Sequence, residues 1–381
     1  MNIDFASQLA EVSAQEWDAL VGEDDPFVEH AFLLALEESG SVGRGTGWQP
    51  LHVLAREGGQ LVAAMPMYLK QHSYGEYVFD FGWAQAAVRA GIRYYPKLVA
   101  MVPFTPATGR RFLIAPSVSE ADAVKALLEG ALLALERTRA STVHLHFLNP
   151  HEAELVRADG RFLARSSTQF HWQNKGYQSF DDHLATFRSV VRKEVKKERR
   201  RVAEAGIQIE AIEGAQLTGE HWSALSGFYF DTCNNHGSGP YLTPEFFEII
   251  ARTHARRVVA MLARHEGRIV AGTLNFEKGR HLYGRYWGST ERHDSLHFEL
   301  CYHRLIERAI ARGCTRFEAG AQGMHKLRRG LLPTEIHNAC YVADPRLRAA
   351  VADFLEREAE TVQYELAELR HHGPSHRPES D

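Results

Sequence analysis

Apolar and polar positions along the chain fall into one arrangement that occurs twice. Residues 54–64 read Leu-Ala-Arg-Glu-Gly-Gly-Gln-Leu-Val-Ala-Ala, and residues 262–272 read Leu-Ala-Arg-His-Glu-Gly-Arg-Ile-Val-Ala-Gly. Each is an apolar run, a short polar turn with glycine and a second apolar run, which is the pattern of a β-hairpin. A further run closing on tryptophan follows in both halves, at 77–83 and 281–287, and predicts a third strand. Next come a helix and a strand: 121–139 then 142–147 in the first half, and 298–312 then 314–318 in the second. Apolar or aromatic residues at 298, 302, 305, 306, 309 and 310 mark one face of the later helix, and Gly313 ends it. The same order of elements, repeated with near-identical hairpins, predicts duplication of a whole domain and an α/β (α+β) fold with mixed sheets flanked by helices.

Two more helices are expected ahead of the second hairpin. One spans 180–206, capped by Ser179, with Phe187, Val190, Val191, Val195 and Val202 along one side. The other spans 220–234. An amphipathic helix over 345–369 and a frayed tail over 371–381 close the chain. At 381 residues the protein exceeds what one core organises. The expected division is 1–165, 166–345 with the main site, a terminal helix 346–370 and a disordered tail 371–381.

Composition narrows the class only a little. The chain is 44% hydrophobic and 24% charged, as globular proteins are. No apolar run approaches the roughly 20 residues of a membrane-spanning helix, and the start of the chain lacks the basic and apolar regions of a secretion signal, so a cytoplasmic protein is expected. Four cysteines without Cys-x-x-Cys spacing and histidines without a His-Glu-x-x-His motif predict neither disulfides nor a metal site. The net charge of −4 does not favour nucleic acid as a partner. Residues 188–201 stand out locally, with eight cations against two acids, a net of +6. Such a helix suits tRNA phosphates or an anionic surface, the bland alternative being a solvated face over the valine stripe.

Three stretches carry a resemblance. They are 168–177 (Thr-Gln-Phe-His-Trp-Gln-Asn-Lys-Gly-Tyr), 231–247, and 317–326 (Phe-Glu-Ala-Gly-Ala-Gln-Gly-Met-His-Lys). They resemble the peptidoglycan biosynthesis/recognition proteins, a FemAB-like family similar to the Fem-type aminoacyltransferases of the GNAT superfamily. The likeness runs from about Phe5 to about Glu358 and departs from the family pattern at Met324 and Leu331. It implies two tandem GNAT-like domains and transfer of an acyl or aminoacyl group to an amine of a small molecule or cell-wall precursor. No cofactor is expected to be tightly bound, and the co-substrate is aminoacyl-tRNA or an acyl-thioester such as acyl-CoA.

Amide-forming acyl transfer needs an amine held against an activated carbonyl, a proton sink and donors for the oxyanion. The loop 320–330 gathers cations, an imidazole, an amide and glycines. Within it His325 and Lys326 are the candidates to bind or polarise the donor, Gln322 to contact it, and Arg328 and Arg329 to hold an anionic group, with Glu318 orienting them. Strict alternation along 283–288 places Tyr283, Arg285 and Trp287 on one face and Tyr286 on the other, making Arg285, Tyr286 and Trp287 candidates for the substrate groove. His297 lies where a donor's phosphates would sit, and Asn235 and His236 belong to a glycine-rich turn suited to a flap. The residues before His297 hold no glycine, whereas a CoA-dependent GNAT enzyme uses glycines there to wrap pyrophosphate. An acyl-CoA-dependent GNAT enzyme and a non-catalytic recognition module remain alternatives.

Overall fold

The computed structural model describes residues 1–235, 239–321 and 323–375. The chain groups into two compact units, 1–167 with 335–364, and 168–334 with 365–381. In the first, an antiparallel sheet of Asn2–Ala6, His52–Glu57, Gln60–Met65 and Leu113–Ile114 is followed by a mixed one. There Lys97–Ala100 pairs in parallel with Thr142–Leu148. In the second unit Gln208–Glu213, Val258–His265, Arg268–Lys278 and His281–Ser289 run antiparallel, and His281–Ser289 then pairs in parallel with Arg316–Glu318.

Duplication is visible bond by bond. Both hairpins shift register at the same place, between Ala55 and Arg56 and between Ala263 and Arg264. Both turns put two successive residues in the left-handed region, Gly58 and Gly59 in one and Glu266 and Gly267 in the other, which is what a two-residue turn between twisted strands requires. The arginine after each shift donates to the second of those turn residues, Arg56 to Gly59 O at 3.0 Å and Arg264 to Gly267 O at 3.3 Å. The strand before each hairpin keeps the same register too, with Asn2 opposite Arg56 and Gln208 opposite Arg264.

Four expectations need correction. Residues 77–83 are not a strand: Phe81–Arg89 is a helix that buries Trp83 and Ala87, four apart on one face. The preceding Asp80 is drawn onto Lys97 at 2.5 Å. The strand standing where His281–Ser289 stands in the second unit is Lys97–Ala100. The single helix expected over 180–206 is two, Phe180–Ala185 and Ser189–Glu204. The cap is as expected, with Ser179 and Asp182 bonding reciprocally. The break follows from backbone pairing: Arg188 donates its N–H to Pro374 O at 2.8 Å and its guanidinium to Gly373 O at 3.0 Å, holding Arg188 extended. The same bonds tie residues 373 and 374, expected to fray, to the second unit, while 376–381 lie outside the described residues. Val190 is 75% exposed, and Glu198 takes its place in the buried stripe of Val191, Val195 and Val202.

The helix expected over 298–312 is continuous from Leu296 to Ala311 but contains a π-helical turn at Glu299–His303. Its inner face, including Leu300, Leu305, Ile306 and Ala309, packs into the core of the second unit.

Candidate functional site

Parallel pairing of His281–Ser289 with Arg316–Glu318 stops at Tyr283 opposite Glu318. Beyond that pair the strands separate, and ligand crevices form at such carboxyl ends. A cavity of about 260 Å³ occupies the opening. Its walls come from Gly284 to Trp287 on one strand, Ala319 and Ala321 past the other, and Thr273 and Asn275 on the neighbouring strand. His297, Cys301, Tyr302 and Leu305 of the helix and His325 and Lys326 of the short helical segment Met324–Arg329 complete it.

Two irregularities shape these walls. The register of His281–Ser289 against its antiparallel neighbour shifts so that Leu274 faces Tyr286 and Asn275 faces Gly284, which leaves Arg285 as the extra residue of a bulge. Alternation therefore fails here, and four consecutive residues reach one cavity. The π-helical turn widens the facing helix at the same level, a distortion frequent at functional sites. Behind the bulge, Gly288 admits the helix Gly219–Asn235 so closely that a Cβ would meet Phe228 O at 2.3 Å.

The polar groups form a small cationic and imidazole set. Lys326 is 2% exposed, and its ammonium donates to Gly320 O at 2.7 Å. Burial lowers its pKa to about 8, partly offset by Cys301. Burial likewise pushes the Cys301 thiol and the Tyr302 phenol up. The Tyr302 hydroxyl lies 2.8 Å from His325 Nε2. Burial, then Arg329 and Lys326, hold His325 below the ordinary histidine range. His297 is lowered to about 4 by burial, with His325 as the next cause. Its ring packs edge-on against Trp287, Tyr302 and His325 at 5.1, 5.5 and 5.8 Å. Among the described residues no carboxylate lines the cavity, so it favours an electron-rich or anionic group.

Of the residues singled out from the sequence, Arg285, Tyr286, Trp287, His297, His325 and Lys326 come together here. Glu318 does not line the cavity: it is buried against Arg316 at 3.0 Å and faces His171 at 3.6 Å. Arg329 lies behind the wall. Its guanidinium pairs with Glu198, stacks 3.4 Å from the Phe298 ring and donates to His325 O at 2.6 Å. Glu198 also bonds His303 at 2.8 Å. Burial pushes the Glu198 carboxyl up, but His303 and Arg329 outweigh it and hold it low. Arg328 is exposed and reaches Glu194 at 3.2 Å, and Asn235 is an exposed helix end. His236 and Gln322 lie outside the described residues. Sequence reasoning missed Thr273, Asn275, Cys301 and Tyr302. Tyr302 sat inside an apolar stripe, where only its hydroxyl signalled anything. Glu198, a lone acid at a stripe position of a basic helix, was the other overlooked signal.

A mixed sheet opened between two parallel strands, with a cavity in the opening and the architecture repeated in one chain, is the fold of tandem GNAT type. The FemAB-like family, described as peptidoglycan biosynthesis/recognition, matches residues 8–377, and the chain belongs to it. Its activity is thus acyl or aminoacyl transfer. Solved structures with the same fold include FemX, 13% identical with a TM-score of 0.56 over 92% of this chain and 100% of that one. The C-terminal domain of a putative lysylphosphatidylglycerol synthetase from Agrobacterium fabrum is 13% identical with a TM-score of 0.54, covering 92% of this chain and 97% of its own. L-PGS from Bacillus licheniformis is 12% identical with a TM-score of 0.52, covering 88% and 98%. No curated protein sequence matches the chain.

Proposed function

We infer that the second unit transfers an aminoacyl group from the ester of an aminoacyl-tRNA to a primary amine, such as that of a cell-wall precursor. The observation that carries this is the buried ammonium of Lys326, which faces a cavity with a carbonyl as its hydrogen-bond partner and no carboxylate among the described residues within ion-pair distance. A charge kept under those conditions is ready for an oxygen that becomes negative during reaction.

The neutral amine attacks the ester carbonyl, and Lys326 donates to the resulting oxyanion. The amine proton passes to the Tyr302 hydroxyl as that hydroxyl gives its own to His325 Nε2. Because the Tyr302 phenol is raised, it relays the proton without surrendering it, and a lowered His325 is neutral and able to accept near pH 7. When the tetrahedral centre collapses, the carbon–oxygen ester bond breaks and the proton returns along the same path to the departing ribose oxygen. Arg329 and Glu198 are positioning residues that hold the His325 backbone.

Three features favour tRNA over CoA. The loop before His297 holds no glycine where a pyrophosphate would need backbone donors. The helix Ser189–Glu204 exposes Lys193, Lys196, Lys197, Arg200 and Arg201. The cavity, below the roughly 300 Å³ at which drug-sized sites begin, fits the reacting ends of two substrates while their bulk lies outside. The test is transfer from labelled aminoacyl-tRNA to a panel of amines, with acyl-CoA as a parallel donor. Label moving from tRNA to an amine, slowed roughly 10²–10³-fold by Lys326→Met, supports the reading. Transfer from acyl-CoA with tRNA inert overturns it.

A further inference from the structure

We propose that His265, Glu291 and His293 form a divalent-metal site of zinc type that fastens the loop 290–295 to the end of the hairpin Val258–Lys278. The reading is independent of the donor and of Lys326. His265 closes the strand Val258–His265, just before the left-handed turn residues Glu266 and Gly267. Glu291 and His293 follow the strand His281–Ser289, and Thr290 is anchored by its N–H to Val270 O at 2.9 Å. The central strand of the hairpin thus delivers two distant segments to one spot, and no spacing motif announces them.

The three ligand atoms lie within 4.8 Å of one another. His265 Nδ1 is 3.1 Å and His293 Nε2 3.0 Å from the same oxygen, Glu291 Oε2, and the two rings are 4.8 Å apart between centroids. With metal–ligand bonds of about 2.0–2.2 Å, tetrahedral ligand atoms stand roughly 3.3 Å apart, so two of the three edges are already close to the required length. Two imidazoles and one carboxylate suit zinc and its neighbours, and not magnesium or calcium, which take oxygen. Arg268 donates to the other carboxylate oxygen, Oε1, at 2.8 Å, which leaves Oε2 as the single ligand atom and fixes the carboxylate plane. All three residues are half-buried, enough to be held and open enough for an ion to enter.

The consequence lies downstream. The loop ends at Ser295, in the left-handed region, and Leu296 begins the helix whose His297, Cys301 and Tyr302 line the cavity. A metal pinning the loop at Glu291 and His293 to His265 of the hairpin would therefore hold the rim residue His297 in place without touching substrate.

The experiment uses the tag-free full chain, stripped with chelator and titrated with Co²⁺ and Zn²⁺. We expect one ion per chain with Kd tighter than about 10 μM, Co²⁺ visible bands of a nitrogen–oxygen site, and a Tm that rises with Zn²⁺ concentration by mass action. His265→Ala, His293→Ala and Glu291→Gln should each weaken binding by about 100-fold or more and remove the Tm shift. These side chains are partly exposed, so the variants should keep the wild-type circular dichroism. His151→Ala, which removes an exposed histidine paired with Glu120 in the first unit, should bind as wild type does. Binding weaker than about 100 μM, or wild-type affinity in folded His293→Ala, overturns the proposal.

Discussion

Both halves of the chain bury lysines, in opposite company. In the first unit Lys97 lies 2.8 Å from Glu76, 2.5 Å from Asp80 and 2.9 Å from the Ser73 hydroxyl, so all three of its protons are engaged. Lys70 lies 3.8 Å from Glu76 and 3.5 Å from the centre of the Trp48 ring. His144 and His146 face the two carboxylates at 3.6 Å, and burial pushes both imidazoles down. Burial lowers Lys70 to about 7, whereas at Lys97 burial is outweighed by Glu76 and Asp80 and the pKa rises. In the second unit Lys326 meets a carbonyl and a cavity, and nothing outweighs burial there. A buried charge matched by its neighbours holds a fold together, and one left unmatched beside a cavity is kept for a ligand.

Substituting Lys97 and Lys326 should move stability in opposite directions. Lys97→Met strands two buried carboxylates, so we expect a loss of about 3–5 kcal/mol, the cost typical of breaking a buried pair, read as a lower denaturant midpoint. Lys326→Met should stabilise. Its pKa falls from 10.5 to about 8 on folding, so between those values the unfolded chain binds more protons and stability climbs with pH. Below pH 8 both states are charged, and the full penalty of about 3 kcal/mol is present. Lys326→Met should therefore gain up to that amount at pH 7, with the gain shrinking from pH 8 towards 10.5. A loss of stability at pH 7 would show that Lys326 is structural.

Activity supplies the second half of the contrast. Removing one oxyanion donor costs roughly 10²–10³ in kcat, and we expect that loss for Lys326→Met in the transfer assay. In the wild type kcat should fall as pH rises through about 8, where the ammonium is lost. An alkaline limb that persists in Lys326→Met would assign it to another group. A smaller effect is expected for Glu198→Gln, which weakens the grip on Arg329 and so on the His325 backbone. About a tenfold drop in kcat, equivalent to about 1.4 kcal/mol, with KM unchanged, would mark positioning. A change in KM alone would place Glu198 in binding instead.

How much of this the chain's own pattern discloses depends on the range of the interaction. The duplicated hairpin was legible because register, turn and bulge are set within eleven adjacent residues. The cavity strand was legible as a strand, but its bulge was not, since the extra residue is fixed by pairing with Leu274 and Asn275 across the sheet. Residues 77–83 looked like a strand because aromatic residues fit both kinds of structure. The helix was decided by Asp80 reaching Lys97 on a distant strand. Arg329 and Glu318 were recognised as polar residues near the chemistry, yet Glu198, the partner of Arg329, and His171, which faces Glu318, lie on other elements, and only partners separate a ligand-holding charge from a structural one.

The smallest expected effect concerns the basic helix, where matched and unmatched charges again occur side by side. Arg199 is committed to Glu299 at 3.2 Å and Glu307 at 3.0 Å, and Arg188 to the chain end. Lys193, Lys197 and Arg201 recur every fourth residue on the exposed side, one row along the helix. A row of that spacing presents three charges in line, as a phosphate backbone does. If it binds tRNA, the slope of log affinity against log salt should shrink by about 0.7–0.9 for each cation removed that neutralised a phosphate. Lys197→Ala should therefore flatten the wild-type slope by close to one unit and weaken binding only a few-fold at moderate salt. Arg199→Ala should leave the slope unchanged and lower stability instead. Equal slopes for wild type and Lys197→Ala would return this row to the class of solvated surface, and the donor would then have to be held by the cavity alone.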